Sequence, residues 1–284
     1  MPTAQALLRK FVNMKTLPHV AIRLTKLISD ENSTMREFER LIKMDPTLVL
    51  RLLRVVNSAY YGLRKKINSI SRAVSFVGMK NLRNMIVTTA LKEVFAKSPY
   101  DEDIFSRAHL WLHCATVSIC SQMISERIFR QAGDDAYLCG ILHDIGMIVE
   151  DQVAQDLFLQ TCKAYAPDTK PFTEYEREVI GANHCEIGYL LACEWNLPVE
   201  VREGINNHHN TEDEIPPSSI AGIIRIADYI ASKLNYTAIP GMKAMLSPDL
   251  TAYLRDNIEE YKVLVKDLPD EMSKAKELYE PQEE

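Results

Sequence analysis

"AYLCGILHDIGMIVEDQVA", residues 136–154, decides how the rest of the chain is read. Apolar side chains dominate it without the alternation of a half-buried strand, and it reads as one apolar helix. Inside it His143 and Asp144 sit side by side, followed at once by Ile145 and Gly146. Adjacent imidazole and carboxylate are a way to hold a metal, and a metal can serve a hydrolase. The flanking sequence follows the same helical period. "LPHVAIRLTKLISD" (17–30) places Val20, Leu24, Leu27 and Ile28 on one face, and "STMREFERLIKM" (33–44) opens with Thr34 and Glu37 in capping-box spacing. Asp45-Pro46 starts the next helix, which closes at Gly62. Ser69 or Ser71 caps "RAVSFVG", ending at Gly78, and "MKNLRNMIVTTALKEVF" (79–95) is a longer amphipathic helix. Beyond a polar, acidic stretch around Pro99, "HLWLHCATVSICSQMISERIF" (109–129) is again helical. No run of alternating valine-rich strands punctuates the chain, which argues against an α/β sheet.

At 284 residues, 46% hydrophobic and 25% charged, the chain has room for a real core and an ordinary globular composition. It contains no apolar run of membrane-spanning length and its start lacks a signal-peptide core, so the expected location is the cytoplasm. Its six cysteines form no C-x-x-C pair and mostly lie among Leu, Ile, Ala and Val, as buried packing residues of a reduced protein do. Cys185, beside His184, can reach a metal, but packing is the stronger reading. The net charge of -6 speaks against a general nucleic-acid binder. Nine basic residues from Arg51 to Lys92, with no Asp or Glu among them, still form a local positive field, for which a solvated helix face is the commoner explanation.

The histidines and buried acids carry the chemistry. His19 stands alone. His109 and His113 are spaced to share a helix face, His184 opens the apolar run "HCEIGYLL", and His208-His209 form a pair. Asp228, in "IIRIADYIASKL", and Asp144 are carboxylates in apolar surroundings, costly to bury without a cation or donors. Neutral imidazole with carboxylate suits Fe, Mn or Zn. Against this stands the reading that each histidine is a hydrogen-bonded core residue, and spacing alone does not bring five segments together.

"LPHVAIRLTKLISD", "LIKMDPTLVLRLLRVVNSAYYG", "SISRAVSFVGMKNLRNMIV", "CGILHDIGMIV", "HCEIGYLLACEWNLPVEVREGINNHH" and "RIADYIA" follow one another as in the HDOD family, the HD-related output domains. The chain resembles that family over roughly residues 15 to 235. The order His113, His143-Asp144, Asp228 resembles the wider HD superfamily of metal-dependent phosphohydrolases. The resemblance implies an all-α fold, with an N-terminal helical bundle (1–98) packed on an HD-like helical bundle (99–235). A helical, acidic and partly frayed C-terminal extension (236–284) follows. It implies a bacterial signal-transduction output module with a protein partner in its pathway and a nucleotide as a further ligand, and with neither nucleic acid nor membrane as a partner. Through the related HD-GYP enzymes, which hydrolyse cyclic di-GMP, it implies His113, His143, Asp144, His184, His208, His209 and Asp228 as metal ligands, for a divalent ion of the Fe, Mn or Zn kind.

Three departures bear on catalysis. HD-GYP enzymes carry a Glu where this chain has His109, a Lys where it has Met147, and a GYP signature where it runs "HHNTEDEIPP". Losing the Lys removes a cation that would stabilise developing negative charge. The expectation is therefore a retained metal pocket without catalytic residues, with a metal-dependent phosphohydrolase of a cyclic dinucleotide or other nucleotide as the alternative. For the N-terminal core the helical phase picks Leu52, Leu53, Val56, Val74, Val77, Leu82, Ile86 and Leu91, leaving Arg54, Lys65, Lys66 and Lys80 in water.

Overall fold

A computed structural model describes residues 2–13, 27, 34–43, 49, 52–53, 55–57, 66–95, 104–211 and 214–279. Among them the regular structure is entirely helical. The stretch 17–30 except Leu27, most of the helix after Asp45-Pro46, and the boundary at Pro99 lie outside the described residues.

Local chemistry sets the first elements. After α1 (Ala4–Asn13), α2 (Met35–Lys43) begins with the expected capping box. The Thr34 N–H donates to Glu37 Oε2 at 2.8 Å and the Glu37 N–H to Thr34 Oγ1 at 3.3 Å. In α3 (Ile70–Val77) the cap is Ser69, whose hydroxyl accepts from the Arg72 N–H. Gly78, at φ 80°, ends that helix, a left-handed position that favours glycine. α4 (Met79–Phe95) follows immediately.

α4 differs from a one-sided amphipathic helix. Leu82 through Thr88 are all buried, because the helix lies between two cores. Leu82, Met85 and Ile86 join a smaller core with Phe38, Ile42, Val56 and Val74. Val87, Leu91, Val94 and Phe95 enter the larger one. Leu91 therefore belongs to the other core from the one expected, and Leu53 is half-buried rather than buried. Leu52, Val56, Val74, Val77, Leu82 and Ile86 are buried as the phase requires. Lys66 is exposed, while Arg54 and Lys65 lie outside the described residues. Part of the basic stretch pairs with an acid: Lys80, exposed as expected, and the fully buried Arg83 each donate to Asp135 at 2.7 Å.

The larger core is built from α5 (Arg107–Met123), which runs into a π-helical turn (Ile124–Ile128), α6 (Asp134–Leu142) and α7 (Ile145–Val153). It continues with α8 (Gln155–Ala164), α9 (Phe172–Val179), α10 (His184–Glu194), α11 (Val199–Asn207), α12 (Ile220–Lys233), α13 (Pro248–Asp256) and α14 (Ile258–Tyr279). α5 packs against α6, α12 and α14, and α10 lies between α7 and α11. α1 sits on α7 and α10 and adds Leu7, Leu8 and Phe11 to this core. α14 is docked through buried Tyr261, Leu264 and Leu268 and through Arg127, which donates to Asp267 and Glu271 at 2.9 Å. No helix among the described residues is long and apolar enough to cross a membrane.

The opening stretch is two helices, not one. The chain breaks at His143-Asp144, where Asp144 leaves helical geometry with φ -99° and ψ 12°. The following Gly146 explains the turn's tightness. A Cβ there would stand 2.0 Å from the backbone oxygen of His184, so α7 and the first turn of α10 meet backbone to backbone.

Candidate metal centre

Five segments of the chain deliver the side chains. His113 comes from the middle of α5, His143 and Asp144 from the α6–α7 junction, and His184 from the first turn of α10. His208 and His209 follow the end of α11, and Asp228 lies midway along α12. Asp144 occupies an N-cap position yet makes no side-chain cap bond. A carboxylate there ordinarily accepts from the next turn's N–H groups. Here it turns inward.

All seven sequence-predicted residues meet around that carboxylate. Asp144 Oδ2 lies 3.3 Å from Nε2 of both His113 and His143. Its Oδ1 lies 3.4 Å from Nε2 of His184 and 3.3 Å from Nε2 of His208. Asp228 approaches His113 Nε2 at 3.4 Å and His209 Nδ1 at 3.9 Å. The ligand-type atoms of Asp144, His184, His208 and His209 lie mutually within 4.8 Å, as do those of His113, His143 and Asp228. His109 does not join them. It is exposed near the start of α5, and its backbone N–H donates to Ser106.

The outer nitrogens explain the orientation. Nδ1 of His113 pairs with the Tyr236 carbonyl at 2.8 Å, that of His143 with Gly140 O at 2.8 Å, and that of His208 with Ile205 O at 2.7 Å. His184 Nδ1 pairs with the Glu176 carboxylate at 2.8 Å. A carbonyl accepts only, so each Nδ1 must be the N–H donor, and each Nε2 points inward, offering a lone pair when the ring is neutral. This is the outer-partner arrangement that fixes metal-binding imidazoles. Arg225, fully buried, adds to it by donating from Nε and Nη2 to Asn207 O at 3.0 and 2.8 Å, which pins the residue before His208.

Lone pairs facing lone pairs need positive charge between them. The Nε2 atoms of His113 and His143 are 3.1 Å apart, and those of His184 and His208 are 3.3 Å apart. Either protons on imidazole or metal ions can supply that charge. The titration tendencies express the same demand. Burial opposes charge on Asp144, yet His143, His113 and His208 hold it well below the usual carboxylate range. Burial also opposes a charged His208, but Cys185 and Asp144 outweigh it and push it up to about 10. His209, by contrast, is pushed well down by burial and by the neighbouring His208 and His184.

Glu176 was not singled out from sequence, although it occupies an apolar-face position of α9 beside Phe172, Tyr175 and Val179. It is fully buried next to Glu150. Burial and the neighbouring Glu176 push Glu150 well above the normal carboxyl range, while Glu176 pairs with His184 Nδ1. Cys185 also reaches the site, with Sγ 3.5 Å from His184 Nε2 and 3.9 Å from His208 Nε2. Met147, at the position of the expected catalytic cation, is fully buried.

A protein of Treponema pallidum (strain Nichols), described as uncharacterized, is 28% identical over 230 residues, which is 79% of this chain and 44% of the relative. The chain thus spans less than half the length of that curated relative. Among solved structures, a candidate phosphohydrolase from Shewanella amazonensis SB2B is 26% identical with TM-score 0.68, over 96% of this chain and 98% of that one. An HDOD domain protein of unknown function from Geobacter sulfurreducens is 26% identical with TM-score 0.66, over 96% and 92%. The HDOD domain model matches residues 14–211, most of the chain. With that match and this helical core, the chain belongs to the HDOD family.

Proposed function

We propose that this chain is an output module of bacterial signal transduction whose HD-like pocket holds divalent metal as a fixed part of the core and does not hydrolyse a cyclic dinucleotide. The space in front of the cluster carries this choice. The cavity that opens onto His113, Asp144, His209 and Asp228 is small, about 10 Å³, room for about one water molecule, and is bounded on its other side by residues including Thr237 and Met242. Sites for drug-sized ligands begin at about 300 Å³, and a cyclic dinucleotide is larger than most such ligands. No Lys or Arg lines the cavity to meet a phosphate. The segment after α12 is anchored over it, with Tyr236 O accepting from His113 and Ala238 and Ile239 buried. Met147 offers a thioether where a hydrolase would use a cation, and a thioether cannot stabilise phosphoryl charge.

The donor set fits metal. His113, His143 and Asp228 with Asp144 Oδ2 form one group of donors, and His184 and His208 with Asp144 Oδ1 form another, with His209 at their edge. Imidazole nitrogen with carboxylate oxygen suits Fe, Mn or Zn. Bound metal supplies the positive charge that the two buried carboxylates require. On this reading the partner is a protein of the same signalling system, met at the module's surface, and a nucleotide is a secondary ligand.

A metal-dependent phosphohydrolase is the competing function, favoured by the likeness, over 96% of this chain, to the Shewanella protein described as a candidate phosphohydrolase. The test is metal analysis of tag-free protein with a cyclic di-GMP hydrolysis assay in added Mn or Fe. Metal is expected to bind and to raise the unfolding temperature, with turnover far below about 1 per second, a slow rate for an enzyme. Turnover at or above that rate overturns the module. Binding no better than that of an Asp144→Asn variant overturns the cage.

A further inference from the structure

We infer that Cys185 is a thiolate ligand of the inner metal position, completing with His184, His208 and Asp144 a four-donor site selective for zinc. The inference rests on the metal reading above and adds a ligand and a metal identity to it. A tetrahedral zinc site with Zn–N and Zn–O near 2.0–2.1 Å and Zn–S near 2.3 Å has N–N and N–O edges of about 3.3 Å and N–S edges of about 3.6 Å. The corresponding spacings are 3.3 Å between the two Nε2 atoms, 3.4 and 3.3 Å from these to Asp144 Oδ1, and 3.5 and 3.9 Å from them to Cys185 Sγ. Four of these five edges lie within about 0.1 Å of the tetrahedral values, and the fifth is about 0.3 Å long.

A count of protons leads to the same place. With Nδ1 of His184 donating to Glu176 and Nδ1 of His208 donating to Ile205 O, both Nε2 atoms of the neutral rings are acceptors. Asp144 Oδ1 is buried and has no hydrogen-bond donor of its own. When both rings are neutral, the Cys185 S–H is the one proton among the four atoms, and it can serve one acceptor. A divalent cation serves all four, with the thiol proton released to solvent as the metal binds. A sulfur donor makes this half of the cluster softer than His113, His143 and Asp228, which offer only nitrogen and oxygen, and a soft donor favours zinc over Mn or Mg.

The whole chain, stripped with chelator and reloaded with Co2+, reports the donor directly. Cobalt is expected to give a near-ultraviolet thiolate-to-cobalt charge-transfer band together with intense tetrahedral d–d bands. Cys114, whose Sγ comes within 4.8 Å of donor atoms of His143 and Asp144, is the control. The band is expected to vanish in Cys185→Ser and to persist in Cys114→Ser. Cys185→Ser is also expected to weaken zinc binding by at least about tenfold, the lower bound for losing even an outer partner of a ligand. Cobalt d–d bands without the charge-transfer band, or a band that survives Cys185→Ser, overturn the inference while leaving the metal pocket standing. No cobalt or zinc uptake at all overturns both.

Discussion

Gly146→Ala should destabilise the protein and spoil the cluster, against the direction that helix propensity gives. On propensity alone, alanine for glycine near the start of α7 gains up to about 1 kcal/mol. The structure reverses the sign. The new Cβ would meet His184 O at 2.0 Å and the carbonyl carbon and Cα of the same residue at 2.7 Å. An ordinary C···O contact is about 3.3 Å, so the first turn of α10 must retreat by about 1.3 Å. No flexible side chain is available to give way, since the opposing atoms are backbone. Overpacking of this kind costs about 1–3 kcal/mol, and a backbone collision belongs at the upper end. At about 2–4 °C per kcal/mol, the melting temperature should fall by roughly 5–10 °C. The same retreat moves His184 Nε2 away from Asp144 Oδ1, now at 3.4 Å. Thermal unfolding and zinc titration of the variant measure both consequences. A variant as stable as its parent, binding zinc equally well, would refute the claim that this glycine sets the spacing between α7 and α10.

Three further substitutions test the other half. Leu82→Ala, in the fully buried center of the smaller core, should cost about 2–5 kcal/mol, while half-buried Leu53→Ala should cost less than about 2 kcal/mol; denaturant unfolding that ranks them the other way refutes the assignment of α4 as the wall between the cores. Asp135 is partly buried, which opposes its charge, but Lys80 and Arg83 outweigh burial and lower its pKa. A carboxylate with a lower pKa folded than unfolded stabilises fully above about pH 4 and loses that contribution as pH falls through the folded value. Asp135→Asn should therefore cost about 1.5–3 kcal/mol at pH 7 and progressively less in acid, and an equal loss at pH 7 and pH 3 refutes the pairing.

What the sequence made legible was local. Thr34 with Glu37, Ser69 and Gly78 announced helix ends because caps are short-range chemistry, and the structure uses all of them. Asp144 and Asp228 were legible as problems, because a carboxylate among Ile and Leu needs an explanation wherever the chain goes. Leu53 was misjudged because one helical phase cannot say how far a core extends toward water. Leu91 was misassigned for a related reason: α4 is apolar on two faces, and no periodicity says that two cores share it. The break at His143-Asp144 was hidden inside an apolar run. Its cause, the approach of α7 to the backbone of His184, lies a long way off in the chain. Glu176 left a trace that went unused, an acid on the apolar face of α9. Cys185 looked like packing because its environment is apolar in sequence, whereas in space its sulfur faces two imidazoles.

The position of α6 explains why a pocket that turns nothing over would still matter to the rest of the chain. At its first residues the Asp134 carbonyl accepts from Asn84, and Asp135 accepts from Lys80 and Arg83, all on α4. At its far end stand His143 and Asp144. Nine residues separate the two sets of bonds, about 13 Å of helix. Between them α6 cannot slide independently, because a Cβ at Gly140 would already stand 2.5 Å from the Ser118 backbone of α5. The helix therefore moves against α5 as a rigid piece or not at all. Whatever fixes His143 in the cluster also fixes Asp135 against α4, and α4 in turn forms the wall of the N-terminal core. In the reverse direction, repacking of that core reaches the imidazoles through the same helix.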